Sequence, residues 1–225
     1  MQQVTDKYFK SDLWATENLN YVKPHFRMEK AARIITNIAG RKDCDLLDIG
    51  CGPATLMRCL RSNVHYHGID IAIHKPAPNL LETDFLENPI KFGDKRFDII
   101  IAQGVFEYVG RFQSQKLTEI RQLLNENGTF IVSYVNFDHL NRNIYWLYNN
   151  IQPFKHFRDS VGSFFRIDRC FPTSHSWDHR EPTHPLTKAI HMRMNATIPV
   201  MSSLFAIEYF FICSSRDSRR AANRR

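Results

Sequence analysis

From Leu46 onward, short apolar or β-branched runs alternate with amphipathic stretches, the pattern of a doubly wound α/β sheet. Cys44–Ile49 (CDLLDI) predicts a first strand ending at a glycine turn. Ala54 to Arg61 (ATLMRCLR) predicts a helix with Leu56, Met57 and Leu60 on its buried face. Val64–Ile69 (VHYHGI) predicts a second strand closing at Asp70, and a short third strand near Asn79–Thr83 closes at Asp84. Phe97–Gln103 (FDIIIAQ) is an apolar run of the kind a central parallel strand needs when both its faces are covered. Ser114 to Leu124 predicts a helix with Leu117, Ile120 and Leu124 on one face and Asn127-Gly128 as its stop, before a fifth strand over Thr129–Val135.

Ahead of this alternation, Phe26 to Ala39 predicts a helix that packs on the sheet or over a ligand cleft. Beyond Val135 the regular pattern fails. Asn136 to about Thr183 is aromatic and basic; it predicts a helix around His139–Ile151 followed by less regular chain. A helix near Leu186–Asn195 and a long apolar strand, Leu204–Ser214, come after it. The span from Val135 to Leu204 exceeds a simple crossover, and long insertions in compact domains are usually functional, so a substrate-binding cap is expected there.

Composition narrows this picture only slightly. A chain of 225 residues, 43% hydrophobic and 24% charged, fits one globular domain. No apolar run reaches the roughly 20 residues of a membrane span, and the polar N-terminus lacks a secretory apolar core, so a cytoplasmic protein with no membrane partner is expected. The net charge of +7 is concentrated in the tail. Arg216 to Arg225 holds five arginines and one aspartate, a local +4, which leaves 7 − 4 = +3 on the body. Such a tail is expected to be a disordered solubilising end. The five cysteines, Cys44, Cys51, Cys59, Cys170 and Cys213, are odd in number and form no CxxC; they read as small core hydrophobes. Ten histidines form no HxxxH or HExxH pattern, and no metal site is expected, although His175, His179 and His184 could be ligands or solvated loop residues.

The candidate chemistry lies at the predicted strand ends, where open parallel sheets bind ligands. Asp48-Ile49-Gly50-Cys51-Gly52-Pro53-Ala54 provides a tight turn of small residues and then a predicted helix start, which favours a polar or anionic ligand group. Asp70, twenty residues past Gly50, is placed to accept hydrogen bonds from a ribose diol. Asp84 can receive an exocyclic adenine amine, with Phe85 beside the ring. Any one of these features reads as an ordinary loop; three ordered strand ends point to a nucleoside-bearing ligand. A nicotinamide site would want GxGxxG, and Thr55 stands at the last glycine position.

LLDIGCGPATL resembles motif I of the class I S-adenosylmethionine-dependent methyltransferases. HGIDIA is similar to their second motif, TDFLE to the adenine motif and FDIIIAQGVFEYV to the fourth-strand motif, and LLNENGTFIVSYVNF resembles the strand that follows. The likeness covers about residues 26 to 137 and is closest to the small-molecule "type 11/12" group. It implies a Rossmann-like, mostly parallel seven-stranded sheet with helices on both faces, a core over 26–137, a cap over 138–203 and a single domain over 1–215. It also implies S-adenosylmethionine as cofactor. Asp48, Gly50, Cys51 and Gly52 would form the methionine-side loop; Asp70 would hold the ribose and Ile71 would pack on adenine. Asp84 and Phe85 would face the adenine edge, and Gln103 and Gly104 would line the sulfonium. Ala54 replaces the third glycine of GxGxG, where close helix packing is the expected demand, and Tyr108 stands where many relatives have histidine.

Methyl transfer is an in-line displacement, and much of its catalysis is positioning in a water-poor cleft. An oxygen nucleophile usually needs a base as well. Tyr108, Glu107 and His139 qualify by position; His139 ranks first because its pKa suits neutral pH, and a solvated or packing histidine is the competing reading. The aromatics of 136–183 suggest an apolar or planar acceptor, or they pack the segment onto the core. Arg142, Arg158, Arg166 and Arg169 could grip an anionic group or form a solvated face. The leading expectation is methylation of an O or N atom on a small-molecule acceptor, a natural-product or glycan intermediate. Two alternatives stay open: a protein or nucleic-acid methyltransferase, which the basic tail favours, and a cofactor-binding partner without turnover. Gln103-Gly104-Val105-Phe106 stands where base-methylating enzymes often carry NPPY or DPPY, which disfavours nucleic acid. The sequence leaves the oligomeric state open, a homodimer included.

Overall fold

The computed structural model describes residues 26–73, 75–138, 150–175 and 206–215. Their seven strands form one sheet in the order β3-β2-β1-β4-β5-β7-β6, the mostly parallel Rossmann-like architecture expected. The chain divides into two compact units, Met1–Ile90 and Lys91–Arg225.

In the first unit, helix α1 (Phe26–Ala39) has the predicted bounds and buries Ala31, Ala32 and Ile35. Strands β1 (Cys44–Ile49) and β2 (Val64–Asp70) pair in parallel, with Leu46 opposite Tyr66 and Asp48 opposite Gly68. The short β3 (Leu80–Glu82) pairs in parallel with β2, setting Glu82 opposite Asp70. The α-helix expected over Ala54–Arg61 is instead a 3₁₀ segment of five residues, Thr55–Cys59. Leu56 is buried as expected, but Met57 is exposed. Ala54 enters the segment in the left-handed region, at φ 54° and ψ 34°. The third glycine of the motif therefore also occupies a position with a backbone demand, not only a packing one.

In the second unit, β4 (Phe97–Ala102) pairs in parallel with β5 (Leu124–Val135). Between them come the single-turn helix α2 (Phe106–Val109), a 3₁₀ turn (Gly110–Phe112) and helix α3 (Gln113–Leu123). Asn127-Gly128 does not stop α3, because Leu124 is already extended and begins β5. The register slips between Phe97 opposite Leu124 and Ile99 opposite Thr129. Gly128 lies in that slip, where a Cβ would fall 2.9 Å from Leu124 Cδ2 and 3.1 Å from the Phe97 carbonyl. It is a close-approach glycine.

The stretch read as less regular contains helix α4 (Phe154–Phe164) and strand β6 (Phe165–His175). Strand β7 (Ala206–Ser215) lies between β5 and β6, antiparallel to both. Part of the segment assigned to a cap is thus integral to the sheet. Described aromatic residues there serve packing: Phe157 stacks on Tyr134 at 3.8 Å between centroids, and Phe165 lies 5.0 Å from Phe130. The helices expected at His139–Ile151 and Leu186–Asn195 fall mostly or wholly outside the described residues, as does the Arg216–Arg225 tail.

Candidate functional site

The Gly50–Ala54 turn leaves the end of β1 with three residues at positive φ: Gly50 at 74°, Gly52 at 51° and Ala54 at 54°. Such a backbone is glycine's territory, and it turns the chain tightly enough to expose peptide N–H groups. Three of these bond to the end of β2. Gly50 and Cys51 donate to the Ile69 carbonyl at 2.8 and 3.0 Å, and Gly52 N–H donates to Asp70 Oδ2 at 2.7 Å. The other Asp70 oxygen accepts from Ala72 N–H at 3.3 Å. Asp70, half-buried, is thus tied to the loop it was expected to accompany. Its carbonyl accepts from Thr83 N–H at 2.8 Å, which brings the Asp84 turn alongside.

Asp84 Oδ1 accepts from Leu86 N–H at 2.8 Å and from Glu87 N–H at 3.4 Å, a local turn held by the carboxylate. Phe85 is buried behind it, and Ile71 is half-buried in the turn after β2. The side chain of Cys51 faces inward. Its Sγ approaches the Gly52 carbonyl at 3.7 Å, and a Cβ on Gly68 would lie 2.8 Å from it. Burial pushes the Cys51 thiol well up, and the Asp48 and Asp70 carboxylates push it further, so it remains neutral.

Asp48, next to last in β1, lies in the core at 5% exposure. Its Oδ2 accepts from the Tyr66 hydroxyl at 2.7 Å. Burial raises the Asp48 carboxyl from 3.8 to about 7; the Tyr66 hydrogen bond opposes this, and Asp70 adds to it. Tyr66 is pushed well up, first by burial and then by Asp48. Tyr66 did not stand out in the sequence. Its signal is the parallel register: a side chain opposite Leu46 lies two positions short of the residue opposite Asp48.

Within the second unit, Gly104 follows β4 at φ 70° and donates its N–H to the buried Ser133 Oγ at 2.9 Å. Among the described residues, and leaving aside its chain neighbours, none comes within 4 Å of where its Cβ would stand, and Gln103 beside it is half-buried. Tyr108 is half-buried on α2. Glu107 is fully buried, and its Oε1 accepts Val135 N–H at 3.0 Å. That contact gives Glu107 a structural task at the end of β5. His139 lies outside the described residues, as do Arg142, His179 and His184. The three described arginines of the set have local partners: Arg158 faces Asp159 at 3.5 Å, Arg166 Nε meets Asp168 at 2.6 Å and Arg169 lies over Phe171 at 5.5 Å. A polar cluster that the sequence did not reveal joins α2, α3, α4 and residues 150–152. Gln113 Oε1 accepts from Asn150 Nδ2 at 3.0 Å and Gln152 Nε2 at 2.7 Å, and its Nε2 donates to Ser160 Oγ at 2.6 Å.

All five cysteines are free thiols. Cys44, Cys51 and Cys213 are core residues as expected, whereas Cys59 is half-buried and Cys170 exposed. Among the described residues, no cluster of three metal-ligating side chains occurs, and no helix is long and apolar enough to cross a membrane.

Residues 24–179 match a family described as a methyltransferase domain. An uncharacterized protein of Methanocaldococcus jannaschii is 29% identical over 150 residues, 62% of this chain and 64% of that protein. The chain therefore spans less than two thirds of that relative's length. A chain from the complex formed by the Haloferax volcanii Trm112 methyltransferase activator is similar in structure at a TM-score of 0.63 and 16% identity, over 91% of this chain and 95% of that one. The 1,6-didemethyltoxoflavin-N1-methyltransferase of Burkholderia thailandensis, solved with 1,6-didemethyltoxoflavin and S-adenosylhomocysteine, is similar at a TM-score of 0.62 and 15% identity. That likeness covers 96% of this chain and 89% of that one. At such identities the similarity to solved structures speaks for the fold.

Proposed function

The chain belongs to the methyltransferase domain family, and on that premise we propose that it methylates an O or N atom of a small-molecule acceptor, with S-adenosylmethionine as donor. The observation that carries the donor site is the bond from Gly52 N–H to Asp70 Oδ2, which joins the glycine turn to the end of β2. The fit rests on the groups gathered in the first unit. They are a turn with three positive-φ residues, a half-buried carboxylate at the end of β2 and a second one, Asp84, in the next turn. Carboxylates suit a ribose diol and an adenine amine, and small residues allow a ligand close to the backbone.

In this reading Asp48, Gly50, Cys51 and Gly52 hold the methionine side. Asp70 holds the ribose hydroxyls, Ile71 packs on adenine, and Asp84 and Phe85 take the adenine edge. Gln103 and Gly104 line the reacting side. When bound, the donor supplies an electrophilic methyl group on a sulfonium. The chain's own part is to orient the acceptor and exclude water. His139, or Tyr108 on α2, accepts the acceptor's proton where one must leave. The acceptor's determinants belong to the 138–203 segment. The free thiols support a reducing compartment, the cytoplasm.

Calorimetry with S-adenosylhomocysteine tests the donor site. The wild type should bind, and Asp70→Ala should bind about 10- to 100-fold more weakly, the worth of hydrogen bonds to one charged group. No binding by the wild type would refute the reading. Methyl label transferred to the low-molecular-weight fraction of a cell extract supports a small acceptor. Label in protein or nucleic acid moves the assignment to a macromolecule.

A further inference from the structure

Tyr66 is a buried tyrosine whose hydroxyl reaches a buried carboxylate at 2.7 Å, with each residue about 5–6% exposed. A residue needed only to fill the space between β1 and β2 could be phenylalanine, which carries no hydroxyl to desolvate. Its neighbours make the arrangement specific. Opposite Asp48 stands Gly68, whose missing side chain leaves the space that Cys51 fills: a Cβ there would lie 2.8 Å from Cys51 Sγ and 2.9 Å from Leu80 Cδ2. The acid near the end of β1 receives a hydrogen bond from the Tyr66 hydroxyl.

We propose that Tyr66 is a positioning residue of the donor site, whose hydroxyl holds the Asp48 carboxylate ionised and fixed beside the Gly50–Gly52 turn. This inference rests on the donor-site reading above. An ionised acid at the methionine end attracts the cationic groups of the donor, whereas a protonated one offers only a dipole. The ionisable groups acting on Asp48 divide plainly. Asp70 opposes its charge, the neutral Cys51 thiol adds none, and the Tyr66 hydroxyl favours it. Burial pushes the Asp48 carboxyl toward its protonated form, and the Tyr66 hydrogen bond opposes it. With the Tyr66 bond in place, its titration sits at about 7. The hydroxyl therefore shifts the acid toward its ionised form near neutrality.

The test uses the full chain and S-adenosylhomocysteine, measured by calorimetry between pH 6 and pH 8 in the wild type and Tyr66→Phe. Carboxyl carbon NMR of Asp48 in the ligand-free protein accompanies it. Wild-type affinity should rise with pH around a midpoint near 7. In Tyr66→Phe the Asp48 midpoint should move up by about 1 to 2 pH units, and affinity at pH 7 should fall roughly tenfold. A merely structural tyrosine would weaken binding without moving either midpoint, and an unmoved midpoint overturns the proposal. Asp48→Asn supplies a control that keeps the side-chain shape. It should abolish the pH dependence, and adding Tyr66→Phe to it should weaken binding no further; a further tenfold loss also overturns the proposal. If the wild type binds but shows no pH dependence, the inference falls and the donor site stands. If the wild type does not bind at any pH, both fall.

Discussion

Asp48→Asn should stabilise the ligand-free protein at pH 8 and do little at pH 5. Burial raises the Asp48 carboxyl from 3.8 to about 7. A carboxyl whose folded-state pKa is raised holds its proton in the folded chain after the unfolded chain has lost it. Stability therefore falls as pH rises from about 4 to 7 and levels off above. The interval from 3.8 to about 7, at about 1.4 kcal/mol per pH unit, amounts to about 4 kcal/mol lost by pH 8. Roughly 2.5 kcal/mol of this develops between pH 5 and pH 8. Asparagine removes the charge and keeps an oxygen for the Tyr66 hydroxyl, but its buried amide donors cost about 1–3 kcal/mol if they find no acceptor. The net gain at pH 8 is about 2 kcal/mol, or about 4–8 °C in Tm for a chain of this size, shrinking to nearly nothing at pH 5. Urea denaturation at both pH values measures it. An equal difference at pH 5 and pH 8, or a less stable variant at pH 8, would refute the account of Asp48 as a buried charge.

Two further substitutions probe local physics. Ala54→Gly relieves a left-handed residue at φ 54°, and after the loss of a buried methyl group it should stabilise by roughly 0.5 kcal/mol; a lower urea midpoint would show that the methyl's packing outweighs the backbone strain. Gln113→Ala leaves the amides of Asn150 and Gln152 and the Ser160 hydroxyl without this partner and should cost about 2–4 kcal/mol, whereas a loss under 1 kcal/mol by the same measurement would mean that water replaces the glutamine.

The core strands were legible because burial on both faces writes itself as a run, and β1 has its predicted bounds, with β2 and β4 within one residue of theirs. Asp70 and Asp84 could be placed because they close such runs. Other features depend on contacts that periodicity does not encode. Gly128 resembles a helix stop because Asn-Gly commonly is one, yet its role comes from the Phe97 carbonyl 3.1 Å from where a Cβ would stand. Strand β6 was hidden because its alternation, FRIDRCF, is broken by a slip between Ile167 and Arg169 and by Pro172. The Gln113 cluster links residues 37 to 47 positions apart in the chain. Tyr66 needed the β1–β2 register before its hydroxyl could be matched to Asp48.

The motif's acids, alike in the sequence, have different physical situations in the fold. Asp84 holds its own turn, and Asp70 accepts backbone N–H groups on both oxygens. These half-buried carboxylates can exchange such bonds for ligand hydroxyls or amines at modest cost. Asp48 cannot be explained that way, since a buried carboxyl costs the fold stability as soon as it ionises. A neutral side chain of the same shape would serve the core better. A position that breaks the rules of core design while its neighbours obey them marks where function outweighs stability. The Asp48–Tyr66 pair is that position in this unit. Its tyrosine, more than the glycines around it, separates a turn that merely bends from one suited to a cationic donor.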